Sequence, residues 1–436
     1  MTSPRTQLIW HPCSQMKDYE TFTPLLIKKA RGCHIELANG TTIIDAISSW
    51  WCKSLGHNHP RLKAALLEQA DKFEHVILAN TTNETIATLS QQLAQLMPPL
   101  NKIFYASDGS CAIEVALKMS IQARMITGET HRTKFIALEN SYHGETTGAL
   151  SVSDVGLYRA PFTPLLFTPH FLTKLPYVNN MHDLLWEDCS LYWPAIEKKL
   201  LEYADTATAI IIEPILQGAG GMKIYSKDFL KRIAQFAKLH NIHLIADEIM
   251  TGIGRTGNMF ACEYANVIPD FLCLGKGLTS GWLPLSAVLT HDAIYQLFYD
   301  DYETGKSFLH SHTQSGNALA ACIASEVLTI FKEENICEKA AQLGKKMLRG
   351  MQQIARDSQQ LQNVRNIGAM VAADLICDFP TKRHGYTVYQ EAVKRGALLR
   401  PLGNTIYWLP PLIMDDATLT QLQEITFAAI MATSTL

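Results

Sequence analysis

The sequence lacks any long apolar run, since no segment approaches the roughly 20 uninterrupted apolar residues that a membrane-spanning helix needs. Its opening residues also lack the apolar stretch of a secretory leader. We therefore expect no membrane association and a cytoplasmic location.

Concentrated positive charge is missing as well. The formal net charge is -3, and no stripe of lysine and arginine is visible along the chain. Nucleic acids and anionic membranes both attract proteins through concentrated basic charge. The sequence therefore argues against both as partners and favours small-molecule substrates.

Motifs for disulfides and metals are absent from the sequence. The ten cysteines form no Cys-x-x-Cys pair, so we expect reduced thiols that are mostly buried. The pairs His57/His59 and His310/His312 have no nearby carboxylate or cysteine to complete a metal site. We expect no bound metal.

The chain does have the length and apolar content of a large globular enzyme. Of its 436 residues, 47% are hydrophobic, which is typical of a globular protein. A chain of this length exceeds what one hydrophobic core usually organises. We predict a large domain over residues 61–330. A smaller α+β domain is expected from both chain ends, residues 1–60 and 331–436, with a hairpin signal at Ala38-Asn-Gly40.

Short apolar runs alternate with amphipathic stretches in the middle of the chain. The predicted strands are Lys102–Ala106, Lys134–Leu138, Ala209–Glu213, Ile242–Ala246 and Phe271–Leu274. Because these runs lack polar alternation, both faces of the sheet should be covered. The pattern predicts an α/β fold with a mostly parallel, doubly wound sheet. A long ordered loop is expected over residues 159–177, which contain four prolines.

Three ionisable residues end successive strands of this predicted sheet. Glu213, Asp247 and Lys276 are about one βα unit apart, so all three should lie at the carboxyl edge of the sheet. Pyridoxal phosphate requires an amine for its Schiff base and an anion that keeps its pyridine nitrogen protonated. Alone, Lys276 also suits an exposed turn and Asp247 a helix cap, but together they favour the cofactor.

The phosphate of such a cofactor needs an anion site. Gly109 and Ser110 open a predicted helix after Asp108, where free backbone N–H groups and a hydroxyl attract phosphate. The same residues also suit an ordinary capped helix. Tyr142 follows another predicted strand and is placed either to stack on the cofactor ring or to lie half-buried in a loop.

A series of motifs resembles the class III pyridoxal-phosphate aminotransferases in order and over nearly the full length. These motifs occupy residues 107–110, 141–144, 211–214, 246–257, 274–278 and 315–317. Further segments resemble the branch that transaminates 8-amino-7-oxononanoate to 7,8-diaminononanoate in biotin biosynthesis, with S-adenosyl-L-methionine as donor. Those segments are residues 9–12, 48–51, 56–60, 215–221 and 399–403.

The resemblance implies fold type I and a ping-pong reaction through a Lys276 Schiff base and pyridoxamine phosphate. It implies that Asp247 contacts the pyridine nitrogen and that Tyr142 lies over the ring. Gly109 and Ser110 are implied to bind the phosphate.

The same resemblance implies that Thr313 reaches the phosphate of a neighbouring subunit, in a homodimer with shared active sites. It places Trp50 in the substrate pocket and Arg400 on the carboxylate of the oxo acid, a group that a guanidinium fork binds in a bidentate way. Arg255 is also a family position, although structural pairing within its own turn is the preferred interpretation.

This chain departs from the family pattern around the substrates. Cys13 stands where the family usually has tyrosine, Glu145 where aspartate is common, and Ser311 and Gln314 where glycine and an aromatic residue are usual. Cys13 and Ser311 are therefore candidate substrate-binding residues. The departures leave the donor open between adenosylmethionine, lysine and another amine.

The sequence supports three other functions less well. One is another ω-amine aminotransferase, acting on ornithine, 4-aminobutyrate or an acetylated diamine, although the Trp50-Trp51 pair suits a long acyl chain better. A cofactor-binding module without turnover is disfavoured because Lys276 and Asp247 are both present. A nicotinamide dehydrogenase is disfavoured because no G-x-G-x-x-G opens a helix after the first strand.

Overall fold

The computed structural model describes residues 8–377 and 383–433. The strands are β1 (Ile27–Arg31), β2 (His34–Leu37), β3 (Thr42–Asp45), β4 (Leu100–Ala106), β5 (Lys134–Leu138), β6 (His170–Leu172), β7 (Tyr177–Val178), β8 (Ala207–Ile212), β9 (Leu216–Gln217), β10 (Lys223–Tyr225), β11 (His243–Asp247), β12 (Phe271–Leu274), β13 (Ser286–His291), β14 (Leu361–Ile367), β15 (Met370–Leu375), β16 (Ala397–Leu398) and β17 (Thr405–Trp408).

The helices connect and cover these strands. They are α1 (Ser48–Trp51), α2 (Pro60–Ala70), α3 (Glu84–Leu96), α4 (Gly109–Ile126), α5 (Thr147–Ser151), α6 (Leu184–Glu187), α7 (Trp193–Tyr203), α8 (Lys227–Leu239), α9 (Asp292–Phe298), α10 (Ala318–Glu333), α11 (Ile336–Ser358), α12 (His384–Arg395) and α13 (Asp416–Thr433). No helix in the described ranges has both the length and the apolar character needed to cross a membrane.

A seven-stranded sheet forms the centre of the molecule, in the order β4-β13-β12-β11-β8-β5-β6. Strand β13 pairs antiparallel with both of its neighbours, and the other pairs are parallel. The predicted α/β fold with a mostly parallel sheet is therefore confirmed. The predicted strands over 134–138 and 271–274 match β5 and β12.

Both faces of this sheet are buried, as the apolar runs predicted. Along β8, Ala209 and Ile211 belong to one hydrophobic core, and Ile210 and Ile212 belong to another. Successive side chains on a strand point to opposite faces. Helix α4 covers the first face, while α3, α8 and α10 contribute to the core on the second. Open α/β sheets bind ligands beyond the carboxyl ends of their parallel strands, so a site is expected at that edge.

The two chain ends meet in a second sheet, ordered β1-β2-β3-β16. Strands β2 and β3 form the predicted hairpin, with Gly40 at a φ of 87° and the Asn39 side chain accepting from the Thr41 backbone N–H at 3.0 Å. Strand β16 then pairs in parallel with β3. This pairing joins residues from the start of the chain to residues near its end.

Two predictions need correction. The expected loop over 159–177 contains a 3-10 helix over Ala160–Leu165 and the edge strand β6, so its prolines only interrupt regular structure. The cysteines are all free, but only Cys33, Cys189, Cys262 and Cys273 are buried, and Cys13 is exposed. The other five are partly exposed; among them Cys111 lies in the first turn of α4 and Cys322 lies inside α10.

Candidate active site

Lys276 lies two residues after β12, in a short 3-10 turn where its own φ is 38°. Its amine is 5.1 Å from the centroid of the Trp51 ring and makes no hydrogen bond or ion pair with any described residue. Burial lowers the pKa of Lys276, while the nearby carboxylates of Asp247 and Glu213 oppose that shift. A lysine with a lowered pKa has more neutral amine available as a nucleophile.

Asp247 ends the neighbouring strand β11 and is buried. One of its oxygens is 2.8 Å from His143 Nδ1, and the other accepts from the Ile249 backbone N–H at 3.1 Å. The second ring nitrogen of His143 is buried and has no hydrogen-bond partner among the described residues. His143 and the Ile249 N–H together fix the direction of the Asp247 carboxylate.

Glu213 follows β8 and connects two loops around the site. Its side chain accepts from the backbone N–H of Tyr142 at 2.9 Å and from that of Gly218 at 2.9 Å. Burial raises its pKa to about 7, with the neighbouring Asp247 adding to the shift. Glu213 therefore orients the loops and is not an exposed acid.

Glycines bring the start of α4 close to the turn that carries Lys276. A Cβ on Gly109 would lie 2.9 Å from Ile249, and a Cβ on Gly275 would lie 3.3 Å from the same side chain. At Gly144, where φ is 131°, a Cβ would lie 2.1 Å from the Ser110 hydroxyl oxygen. These close approaches leave the first turn of α4 facing the loop, with backbone N–H groups that have no partner within the helix.

Tyr142 lies on the loop after β5, and its hydroxyl donates to Glu145 at 3.2 Å. Burial and the Glu145 charge raise the pKa of Tyr142, so the phenol stays neutral. The thiol of Cys13 is 3.9 Å from the same Glu145 carboxylate, and burial with that charge also raises its pKa. Cys13 and Glu145, two of the departures from the family pattern, therefore contact each other.

A wide cavity of about 1180 Å³ opens beside these residues. Among the described residues its lining includes Cys13, Ser49 and Arg400 but not Lys276. The Arg400 guanidinium stacks over the Trp50 ring at 4.2 Å. We call Lys276, Asp247, Glu213 and Tyr142 the inner end of the site, and Arg400 with the Trp50 ring stacked on it the outer wall.

Arg400 differs from the other arginines of this cavity. Arg365 forms an ion pair with Asp374 at 2.8 Å, and Arg383 forms one with Asp18 at 2.9 Å. Arg400 makes no hydrogen bond or ion pair with any described residue. Its charge is available for a ligand.

The structure does not bring Thr313 and Ser311 to this cavity. Both are exposed, and the Thr313 carbonyl oxygen is 2.9 Å from the His75 ring. Within one chain they lie apart from the residues predicted to share the cofactor with them.

Comparisons with known proteins identify the family. Residues 15–430 match the family model of class-III aminotransferases. The chain belongs to this family. It is 44% identical to the adenosylmethionine-8-amino-7-oxononanoate aminotransferase of Helicobacter pylori, over 94% of this chain and 92% of the relative. The crystal structure of the enzyme of that name from Methanocaldococcus jannaschii has a TM-score of 0.89 and 33% identity, covering 97% of each chain.

A third comparison bears on the cofactor. The structure of an amine transaminase from an uncultivated Pseudomonas species, in the PLP-bound form, has a TM-score of 0.89 and 30% identity over 97% of this chain and 98% of that one. The protein is thus an aminotransferase that depends on pyridoxal 5'-phosphate. The residues present suit this group, because the Lys276 amine has no hydrogen-bond partner among the described residues, the carboxylate that ends the adjacent strand is fixed, and the start of α4 approaches the turn that carries Lys276.

Sequence reasoning missed His143 as a part of the site. The residue stood inside the Ser-Tyr-His-Gly motif, and its position after a strand at the carboxyl edge was the signal that could have found it. Arg255 is structural, as preferred, but it does not pair within its own turn. It donates to the carbonyl oxygens of Ala369 at 3.0 Å and Pro410 at 2.8 Å.

Proposed function

We propose that this aminotransferase converts 8-amino-7-oxononanoate to 7,8-diaminononanoate in biotin biosynthesis, with S-adenosyl-L-methionine as amino donor. The observation that carries the proposal is the Arg400 guanidinium, which lines the cavity without a polar partner among the described residues and stacks on the Trp50 ring. An oxo acid with a long chain offers a carboxylate to the first and apolar surface to the second. The names of the relatives support the same substrates.

Lys276 is the proposed attachment residue and proton carrier. Pyridoxal phosphate, when bound, supplies an aldehyde for covalent capture of amines and a ring that withdraws electrons from the substrate Cα. The Lys276 amine would carry the proton between that carbon and the cofactor. Asp247, which His143 holds in place, would be the residue that binds the pyridine nitrogen.

The remaining proposed contacts bind and orient. Gly109 and Ser110 offer the start of α4 to the phosphate, and Tyr142 covers the ring. Cys13 faces the substrates beside Glu145. Its replacement of a bulkier residue widens this part of the cavity.

We also propose a homodimer in which Thr313 and Ser311 complete the partner's site, because both are exposed and distant from their own cavity. The ten free cysteines support a reducing, cytoplasmic environment. We further propose a large domain over residues 61–330 and a small domain built from residues 1–60 and 331–436. The pairing of β3 with β16 supports this division.

The donor is tested by adding amines one at a time to the yellow holoenzyme and following the absorbance of the lysine-bound cofactor. Adenosylmethionine should bleach this band, and 8-amino-7-oxononanoate should restore it. Bleaching by lysine alone would reassign the donor. If a different carbonyl compound restores the band and the oxo acid does not, the ω-amine alternative holds, which structural similarity to an amine transaminase also favours.

A further inference from the structure

Both tryptophans of the site lie on a backbone segment with an unusual conformation. Within α1, φ is 52° at Ser48, 61° at Ser49 and 64° at Trp51. Residues with side chains rarely adopt such values, which cost free energy and persist only where the surroundings impose them. Something in the structure must hold this segment.

The Asp45 side chain fixes this segment through hydrogen bonds to its backbone. One carboxylate oxygen accepts from the Ile47 backbone N–H at 3.0 Å, and the other accepts from the Ser49 N–H at 2.6 Å. The side chain is fully buried, and His57 Nε2 lies 2.8 Å from the second oxygen. Because an asparagine offers only one acceptor oxygen, only a carboxylate can serve both N–H groups in this way.

Two further hydrogen bonds fix the same segment. The Ser48 hydroxyl donates to the Leu409 carbonyl oxygen at 2.8 Å, and the Trp51 indole N–H donates to the Tyr407 hydroxyl at 2.9 Å. The strained turn therefore presents its two rings in fixed directions. Trp51 faces the Lys276 amine at 5.1 Å, and Trp50 faces Arg400 at 4.2 Å.

We propose that Asp45 and His57 are positioning residues of the aminotransferase reaction, acting through the strained turn on Lys276 and on Arg400. His57 orients the buried Asp45 carboxylate, which fixes the turn and so places both rings. The effect on Lys276 concerns the aminotransferase itself. The effect on Arg400 rests on the proposed function, since it requires an acidic acceptor.

The test compares holoenzymes of wild type, Asp45→Asn and a stability control, Glu129→Gln. Glu129 pairs with Arg124 at 2.8 Å and with Arg132 at 3.0 Å, beyond the far end of α4, so its loss should weaken the fold without reaching the site. Thermal unfolding of each variant establishes the loss of stability that the other measurements are compared with.

Three readouts distinguish positioning from general support. Asp45→Asn should raise the KM for 8-amino-7-oxononanoate about tenfold or more, the change that losing a hydrogen bond to a charged group produces. The absorbance band of the lysine-bound cofactor changes with pH, and the midpoint of this change should fall by about half a pH unit in Asp45→Asn. The reason is that a displaced Trp51 ring no longer stabilises the protonated Lys276 nitrogen. In cofactor-free protein, the near-ultraviolet circular dichroism of the tryptophans should change. Glu129→Gln should show none of these.

Unchanged KM, band midpoint and circular dichroism in Asp45→Asn would overturn the proposal, even if stability falls. Should Asp45→Asn fail to fold, His57→Gln against His57→Leu decides. In His57→Gln the glutamine amide can still donate to Asp45, so this variant should resemble wild type. His57→Leu should reproduce the shifts expected for Asp45→Asn. Equal behaviour of the two variants would contradict the proposal. If the oxo acid proves not to be a substrate, the band and the circular dichroism still give the answer.

Discussion

At the inner end of the site, Asp247 and Glu213 each contact two polar groups that fix their carboxylates, whereas at the outer wall Arg400 has no polar partner among the described residues. The inner groups are buried, while Trp50 is 42% exposed. Preorganised charges suit a cofactor that stays in place. An unpaired cation suits substrates that arrive, react and leave in turn.

Removing Lys276 should give the largest effect. Lys276→Ala should lower turnover about a thousandfold or more, because it removes both the nucleophile and the proton carrier. The fold should persist, since the amine has no hydrogen bond to any described residue. Lys53→Ala, which removes a partly buried lysine bound to the Gly281 carbonyl oxygen, serves as control. Borohydride reduction and peptide mapping should label Lys276, and label on another lysine would contradict the assignment.

Asp247→Asn should cost roughly a hundredfold in rate, because it keeps the shape but removes the charge opposite the pyridine nitrogen. Asp270→Asn is a matched control: Asp270 precedes β12 at the other end of the sheet and accepts from the Leu244 backbone N–H at 2.7 Å. Steady-state kinetics measure both variants. Activity of Asp247→Asn within tenfold of wild type would remove it from this role.

At the outer wall, Arg400→Ala should raise the KM for 8-amino-7-oxononanoate about 30-fold, corresponding to about 2 kcal/mol for one side of a charged pair at a partly open position. The half-reaction with the donor should suffer less. Arg383→Ala, which removes a cavity arginine already paired with Asp18, should change the KM little. Stopped-flow measurement separates the half-reactions, and equal damage to both would place the carboxylate contact elsewhere.

The effect expected at Glu213 concerns stability, whereas its effect on the reaction rate should be the smallest of the four. Its raised pKa of about 7 means that the folded state keeps a proton which the unfolded state releases near pH 4.5, so its contribution to stability falls as pH rises between these values. Glu213→Gln should flatten this fall by up to about 1.4 kcal/mol per pH unit. Urea unfolding of the cofactor-free protein across the window measures the slope. Parallel slopes would show that Glu213 is charged in the folded protein.

The sequence predicted the inner end better than the outer wall. Asp247 and Lys276 follow buried strands, and the carboxyl edge of a parallel sheet collects whatever follows its strands. Strand β13 and His143 escaped prediction because an antiparallel neighbour and a loop contact depend on tertiary pairing. For Arg400 and Thr313 only resemblance was available, because their surroundings come from distant segments or, as proposed, from another chain.

The pairing of β3 with β16 has a consequence for synthesis on the ribosome. Residues 42–45 emerge early, but their partners at 397–398 are translated only when most of the chain is already outside. Contacts that are so distant in sequence close late in folding. The nascent chain can therefore form the sheet that carries Lys276 before Arg400 exists, so the wall that we propose for the acceptor is assembled after that sheet.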